Sequence, residues 1–199
     1  MTLESMDVDP TRLPRRQEEI NVLSGIFLKS VYFLDRDLTK SVIVGIFKNR
    51  GDSLGILFRG KKSNVFFSYD LFNQFAVHFN DITVALETKK RLVVRLDSGE
   101  DMRVMPMWGT HCVSLRDKEH SVTLNTFEWS QFTNNLPLVN RCLRDLFMSE
   151  EFIKDFLRQA ISSEEEFVLI NTELPCPVVD RLIDEIQYYK RWPNGGGSS

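Results

Sequence analysis

The apolar positions of this chain spell one pattern twice, 57 residues apart. Leu54–Ile82 lies over His111–Val139 without a gap. The pairs Ile56/Val113, Phe58/Leu115, Val65/Val122 and Phe67/Leu124 fall in two short alternating runs, the period of half-buried strands. Phe72/Trp129, Phe75/Phe132, Phe79/Leu136 and Ile82/Val139 then follow at helical spacing. Five of these 29 positions are identical (Arg59/Arg116, Lys61/Lys118, Val65/Val122, Gln74/Gln131, Phe75/Phe132), so the shared signal is the change of period rather than the letters.

Each copy reads as four antiparallel strands followed by a helix. In the second, Leu92–Leu96 alternates, Asp97–Glu100 turns, and Met102–Trp108 returns, with Pro106 marking an edge or a bulge. His111–Arg116 is a third strand, with Val113 and Leu115 inward and Cys112, Ser114 and Arg116 outward. Ser121–Leu124 is a fourth. Asn125 or Thr126 then caps a helix whose stripe is Trp129, Phe132, Leu136, Val139 and Leu143, which Pro137 should kink or split. In the first copy the strands are Val22–Leu34 (broken near Lys29-Ser30), Val42–Lys48, Leu54–Arg59 and Asn64–Ser68. Ser68 caps the helix of Phe72, Phe75, Phe79 and Ile82.

The expected fold is therefore α+β: two tandem ββββα repeats forming a pseudo-twofold module, with C-terminal helices. The divisions are a flexible arm (1–20), the first repeat (21–88), the second (89–148), an acidic helical extension (149–193) and a disordered tail (194–199). In the extension, Ser149–Ala160 and a helix starting at Pro177 (Val178, Leu182, Ile183, Ile186, Tyr189) are amphipathic. Phe167–Ile170 reads as a lone strand, and Ser162 and Ser163 before Glu164–Glu166 are candidate phosphosites. These helices either pack back on the repeats, form an arm for a partner or for self-association, or act as an acidic brake that competes with nucleic acid for the basic face.

Charge is unevenly spread. Residues 41–145 carry 14 basic and 11 acidic side chains, whereas 146–199 carry 5 and 10. The repeats are mildly basic and the extension acidic, less basic than a protein that relies on phosphate contacts alone. Cys112, Cys142 and Cys176 are odd in number and widely spaced, which argues against a disulfide scaffold or zinc site and for reduced thiols inside a cell. The longest apolar run, Val42–Phe47, is far short of a membrane span. His78, His111 and His120 lack partners at metal-ligand or triad spacing, and no glycine loop cradles phosphate. The expectation is no enzyme, no cofactor, no metal and no membrane.

Val122-Thr-Leu-Asn-Thr-Phe-Glu-Trp-Ser-Gln-Phe-Thr133 resembles the strand-to-helix junction of the single-stranded-DNA-binding domain of positive cofactor four. That family joins Ser/Thr-Leu-Asn at the end of a fourth strand to a helix bearing Trp-x-Gln-hydrophobic. Gly45–Arg59, followed by Val65-Phe-Phe-Ser and the Phe72/Phe75 helix, is similar to a repeat of the Pur-alpha family. Plant Whirly proteins share the same unit. The resemblance spans about residues 22–147 and implies paired units that bind single-stranded nucleic acid.

A helix over one face of each sheet would leave the outward strand residues as the other. These are Lys48, Arg50, Leu57, Arg59 and Phe66 in the first unit, and Arg91, Val93, Arg95, Arg103, Ser114, Arg116 and Thr123 in the second. Cations beside an aromatic suit a single strand, since they track phosphates while rings stack on bases. Lys61, Lys62, Lys118, Lys89 and Lys90 lie in turns, and Trp108 stacks or covers an edge. Arg59 and Arg116 stand out because they occupy equivalent places in both copies. Such a protein would bind single-stranded DNA before RNA, in transcription or replication, in the nucleus rather than the cytoplasm. The alternative is a protein-interaction module acting through the C-terminal helices.

Overall fold

The computed structural model describes residues 25–162 and 176–191. The arm (1–20), Ser163–Glu166, the strand expected at Phe167–Ile170 and the tail (194–199) lie outside the described residues. Among the described residues, two four-stranded antiparallel sheets and five helices make an α+β fold. The first sheet runs in chain order through β1 (Ile26–Phe33), β2 (Ser41–Phe47), β3 (Ser53–Arg59) and β4 (Asn64–Ser68). The second repeats that order with β5 (Leu92–Arg95), β6 (Asp101–Met107), β7 (Thr110–Arg116) and β8 (Ser121–Leu124). The break expected near Lys29-Ser30 is a register shift in β1 between Phe27 and Ser30, with Leu28 at φ 51°.

The 57-residue offset maps β3 onto β7 residue for residue, β4 onto β8, and cap Ser68 onto cap Asn125. It fails between β2 and β6 because the hairpins differ. Lys48–Asp52 connect β2 to β3, with a 3₁₀ turn ending at left-handed Gly51, whereas Trp108 and Gly109 alone connect β6 to β7.

After β4 the helical stripe is broken. α1 (Tyr69–Ala76) stops at Val77 and α2 (Phe79–Glu87) begins after His78. In the second half α3 (Thr126–Met148) is one helix that retains Pro137, so the proline does not split it. Pro137 is exposed, and the missing N–H bond is tolerated on the solvent side while Val139 and Leu143 stay in the core. α4 (Glu150–Ser162) and α5 (Cys176–Arg191) follow.

Neither sheet is covered by its own helix alone. α3 packs across β1, β2 and β3 of the first sheet, and α2 packs on β6 and β7 of the second. The crossing is welded by aromatic contacts: Phe132 meets Phe58 at 5.2 Å and Phe79 at 5.4 Å between centroids, and Trp129 meets Phe79 at 5.6 Å. The Trp129 indole donates to Thr83 Oγ1 at 2.9 Å, so the one polar atom of this buried ring has a partner. The result is a single core to which both sheets contribute.

α5 docks on β1. Leu182 and Ile186 are buried, Glu185 accepts the N–H of Leu28, and Arg181 donates to the carbonyl of Lys29. Those two backbone groups belong to the β1 bulge, where ladder pairing is interrupted. Leu182 and Ile186 of the C-terminal helix are thus spent on the fold.

Candidate nucleic-acid interface

The outer face of the second sheet is built by register. Arg95, Asp101, Arg116 and Ser121 are neighbours in one row across β5, β6, β7 and β8, and Val93, Arg103, Ser114 and Thr123 form the next. Directly opposed residues in antiparallel strands point to the same side, about 5 Å apart at Cβ. Asp101 is buried in this face and takes a two-pronged bond from Arg103, Nε to Oδ1 at 2.7 Å and Nη2 to Oδ2 at 2.6 Å. That bond raises the Arg103 pKa, so this guanidinium stays charged and fixed. Arg95 and Arg116 flank Asp101 on both sides and are exposed. Cys112 and Ser114, expected outward and open, are buried, because larger neighbours such as Arg103, Met105 and Thr123 close over the central strand.

Trp108 sits at the far end of the same sheet. It and Gly109 have φ values of 50° and 81°, the signature of a two-residue type I′ hairpin. Asn, Asp or Gly normally take these positions, and a bulky residue at positive φ is an outlier. Even so, the ring is 83% exposed. The seven residue steps from Asp101 to Trp108 span about 23 Å at strand rise.

The first sheet presents a different outer face. Val31, Ile43, Leu57 and Phe66 form one row across all four strands, and Ile26, Phe47, Ile43 and Leu57 pack into a small apolar cluster with Phe66 against it. Ile43 has no exposed surface and Leu57 only 8%, so Leu57 is not an open face residue as expected. Phe66 is half-buried, edge-on to Phe47 at 4.8 Å, with Arg50 lying 5.6 Å over its ring. Paired glycines make room: a Cβ on Gly55 would lie 2.7 Å from the Phe66 ring, and one on Gly45 2.7 Å from Ile26 Cγ2.

The other expected cations divide accordingly. Arg59 bonds the carbonyl of Leu38 at 3.1 Å, and Lys48 is half-buried. Lys61 and Lys62 are exposed in the β3–β4 turn, which runs beside β8, since Val122 lies 3.3 Å from the Cβ position of Gly60. Lys118 is exposed in the equivalent β7–β8 turn, Arg91 just before β5, and Lys89 and Lys90 after α2. The second-sheet turns also hold Asp97, Glu100, Asp117 and Glu119, which confines positive character to the strand face.

A residue the periodicity did not single out is Lys40. It reaches 83 residues along the chain to the carbonyl of Thr123 (2.8 Å) and on to Glu128 (2.7 Å), the same carboxylate that closes the Asn125 capping box. An Asn-x-x-Glu spacing could have disclosed the box, but no local signal discloses the lysine.

Among the described residues, no three His, Cys, Asp or Glu side chains gather to hold a metal, and no helix is long and apolar enough to cross a membrane. Cys112 and Cys142 are free thiols. Burial pushes the Cys142 thiol and the Tyr32 phenol upward, so both are neutral near pH 7 in the open groove between β1, α3 and α5. Comparison with protein-family models, curated proteins and solved structures finds no match to this chain.

Proposed function

We propose that this protein binds single-stranded nucleic acid with little sequence preference, DNA ahead of RNA, through an exposed sheet face, in transcription or replication. The observation that carries this reading is Trp108. An aromatic ring is held in solvent, on a backbone conformation unsuited to it, at the end of a sheet face bearing Arg95, Arg103 and Arg116. Strain of this kind persists where a site requires it. A ring for bases and cations for phosphates are the two elements that sequence-tolerant strand binding needs.

The architectural half of the proposal is that the chain is a pseudo-twofold pair of ββββα units of the positive cofactor four, Pur-alpha and Whirly type. Its support is the common strand order, the coincidence of β3/β7, β4/β8 and both helix caps at one offset, and the crossing of helices between sheets. The alternative, an interaction module using the C-terminal helices, has less to stand on because α5 spends Leu182 and Ile186 on β1.

The test is a fluorescence-anisotropy titration of labelled single-stranded DNA with the intact chain and with Trp108→Ala. Loss of one stacked base, worth about 1–3 kcal/mol, corresponds to about a 5- to 150-fold weaker Kd. Unchanged affinity in Trp108→Ala would remove the residue on which the reading rests.

A further inference from the structure

We infer that the two sheet faces are not equivalent, and that a bound single strand runs over the second sheet alone, between Trp108 and the Arg95–Arg116 row. The inference rests on the strand-binding reading above and narrows it to one face.

Three observations separate the faces. The first is accessibility. The middle of the first sheet's outer face is closed by its own side chains, with Phe66 laid over Gly55, Ile26 over Gly45, and Ile43 wholly inaccessible between them, which leaves Val31 and Phe33 on the edge strand β1 as its exposed apolar residues. The Phe66 ring is edge-on to Phe47 and lies under Arg50, so a base that stacked on it would have to displace that guanidinium. The second is the state of the cations. Arg50 and Arg59 have intramolecular partners, a ring and a carbonyl. Arg95 and Arg116 make no ion pair among the described residues, although both stand beside the Asp101 carboxylate.

The third is charge complementarity. Three arginines converge on one aspartate in two adjacent rows, leaving an excess of two positive charges on a face with no other strand-borne acid. Asp101 fixes Arg103 in place, and the outer two guanidiniums remain available to bridge a phosphate. The exposed Val93 and half-buried Met105 give the path between this row and Trp108 an apolar floor that bases tolerate. Lys61 and Lys62 lie beside β8 and can extend the positive rim, so the first unit contributes a turn rather than a face.

The experiment compares three proteins on labelled oligothymidine of about 15 nucleotides, within the span of known single-strand sites. These are the wild-type chain, Arg95→Ala with Arg116→Ala, and Lys48→Ala with Arg50→Ala. Each titration is run at several salt concentrations. The second-sheet pair is expected to bind at least tenfold more weakly, and the salt slope should flatten by about 1.4, the value for two lost phosphate contacts on a single strand. The first-sheet pair is expected to change affinity less than about twofold. Equal losses in the two variants, or a larger loss in the first-sheet pair, would overturn the one-face inference and leave strand binding standing. Absence of binding by the wild-type chain would overturn the strand-binding reading and this inference with it.

Discussion

At Trp108 stability and binding pull in opposite directions. A tryptophan at φ 50° in a type I′ turn costs folding free energy, and its exposed ring recovers none of it within the chain. Trp108→Asn is expected to raise stability by about 1 kcal/mol in denaturant unfolding while weakening single-strand binding. A destabilised Trp108→Asn variant would show that the turn favours the ring for structural reasons. Asp35 gives a second prediction at this scale. Burial works to raise its carboxyl, but hydrogen bonds from the Thr39 hydroxyl and the Lys40 and Thr39 amides, with the Lys40 charge, outweigh it and hold the group below 3.8. A depressed folded pKa stabilises above the unfolded value and loses that contribution as pH falls through the folded one. The stability gap between wild type and Asp35→Asn, measured by urea midpoints, should therefore be present at pH 6 and shrink below about pH 4. A gap that does not shrink would contradict the sign.

Among the elements, the start of α3 is where local and distant signals meet. Asn125 and Glu128 cap each other, and Lys40 pairs with Glu128 across the two halves with both side chains largely buried. Removing one member leaves a partly buried charge unpaired, so Lys40→Met should cost about 3 kcal/mol by chemical denaturation. A loss below about 0.5 kcal/mol would mean the pair is screened as surface pairs are. In the first sheet, Gly55→Ala would place a Cβ 2.5 Å from the Phe67 carbonyl and 2.7 Å from the Phe66 ring. A destabilisation of about 1–3 kcal/mol is expected, with Phe66 displaced.

These elements also show what was legible in the sequence. Strands β3, β4, β7 and β8 and the helix caps follow from period and capping chemistry, which are local. The break after Ala76 was not visible because Phe72, Phe75, Phe79 and Ile82 keep helical spacing across it, and no proline or glycine marks it. Pro137 gave the opposite signal, since packing of Trp129, Phe132, Val139 and Leu143 holds α3 together around it. Phe66 looks outward by alternation, and it does face outward, but Gly55 on the neighbouring strand lets its ring settle against the sheet. That depends on cross-strand register, which one strand's pattern does not carry.

For the molecule as a whole, the crossing of α2 and α3 between sheets has a thermodynamic consequence. Each sheet needs a helix from the other half of the chain to cover it, so neither half holds a complete core. Far-UV circular dichroism and tryptophan fluorescence are expected to report one coincident unfolding transition, and residues 25–90 alone to show no cooperative melt. A fragment that melts cooperatively would mean that the halves are separate domains. The same crossing joins both sheets to one core, and their outer faces differ, one largely filled with apolar side chains and one lined with arginine. The most direct measurement is anisotropy of a labelled single-stranded DNA bound to the full chain, challenged with unlabelled single-stranded DNA, single-stranded RNA and duplex DNA at low and physiological salt. Displacement by single strands far ahead of duplex, with affinity falling as salt rises, is the expected result. Equal displacement by duplex, or no binding of any of the three, would contradict strand recognition by this protein.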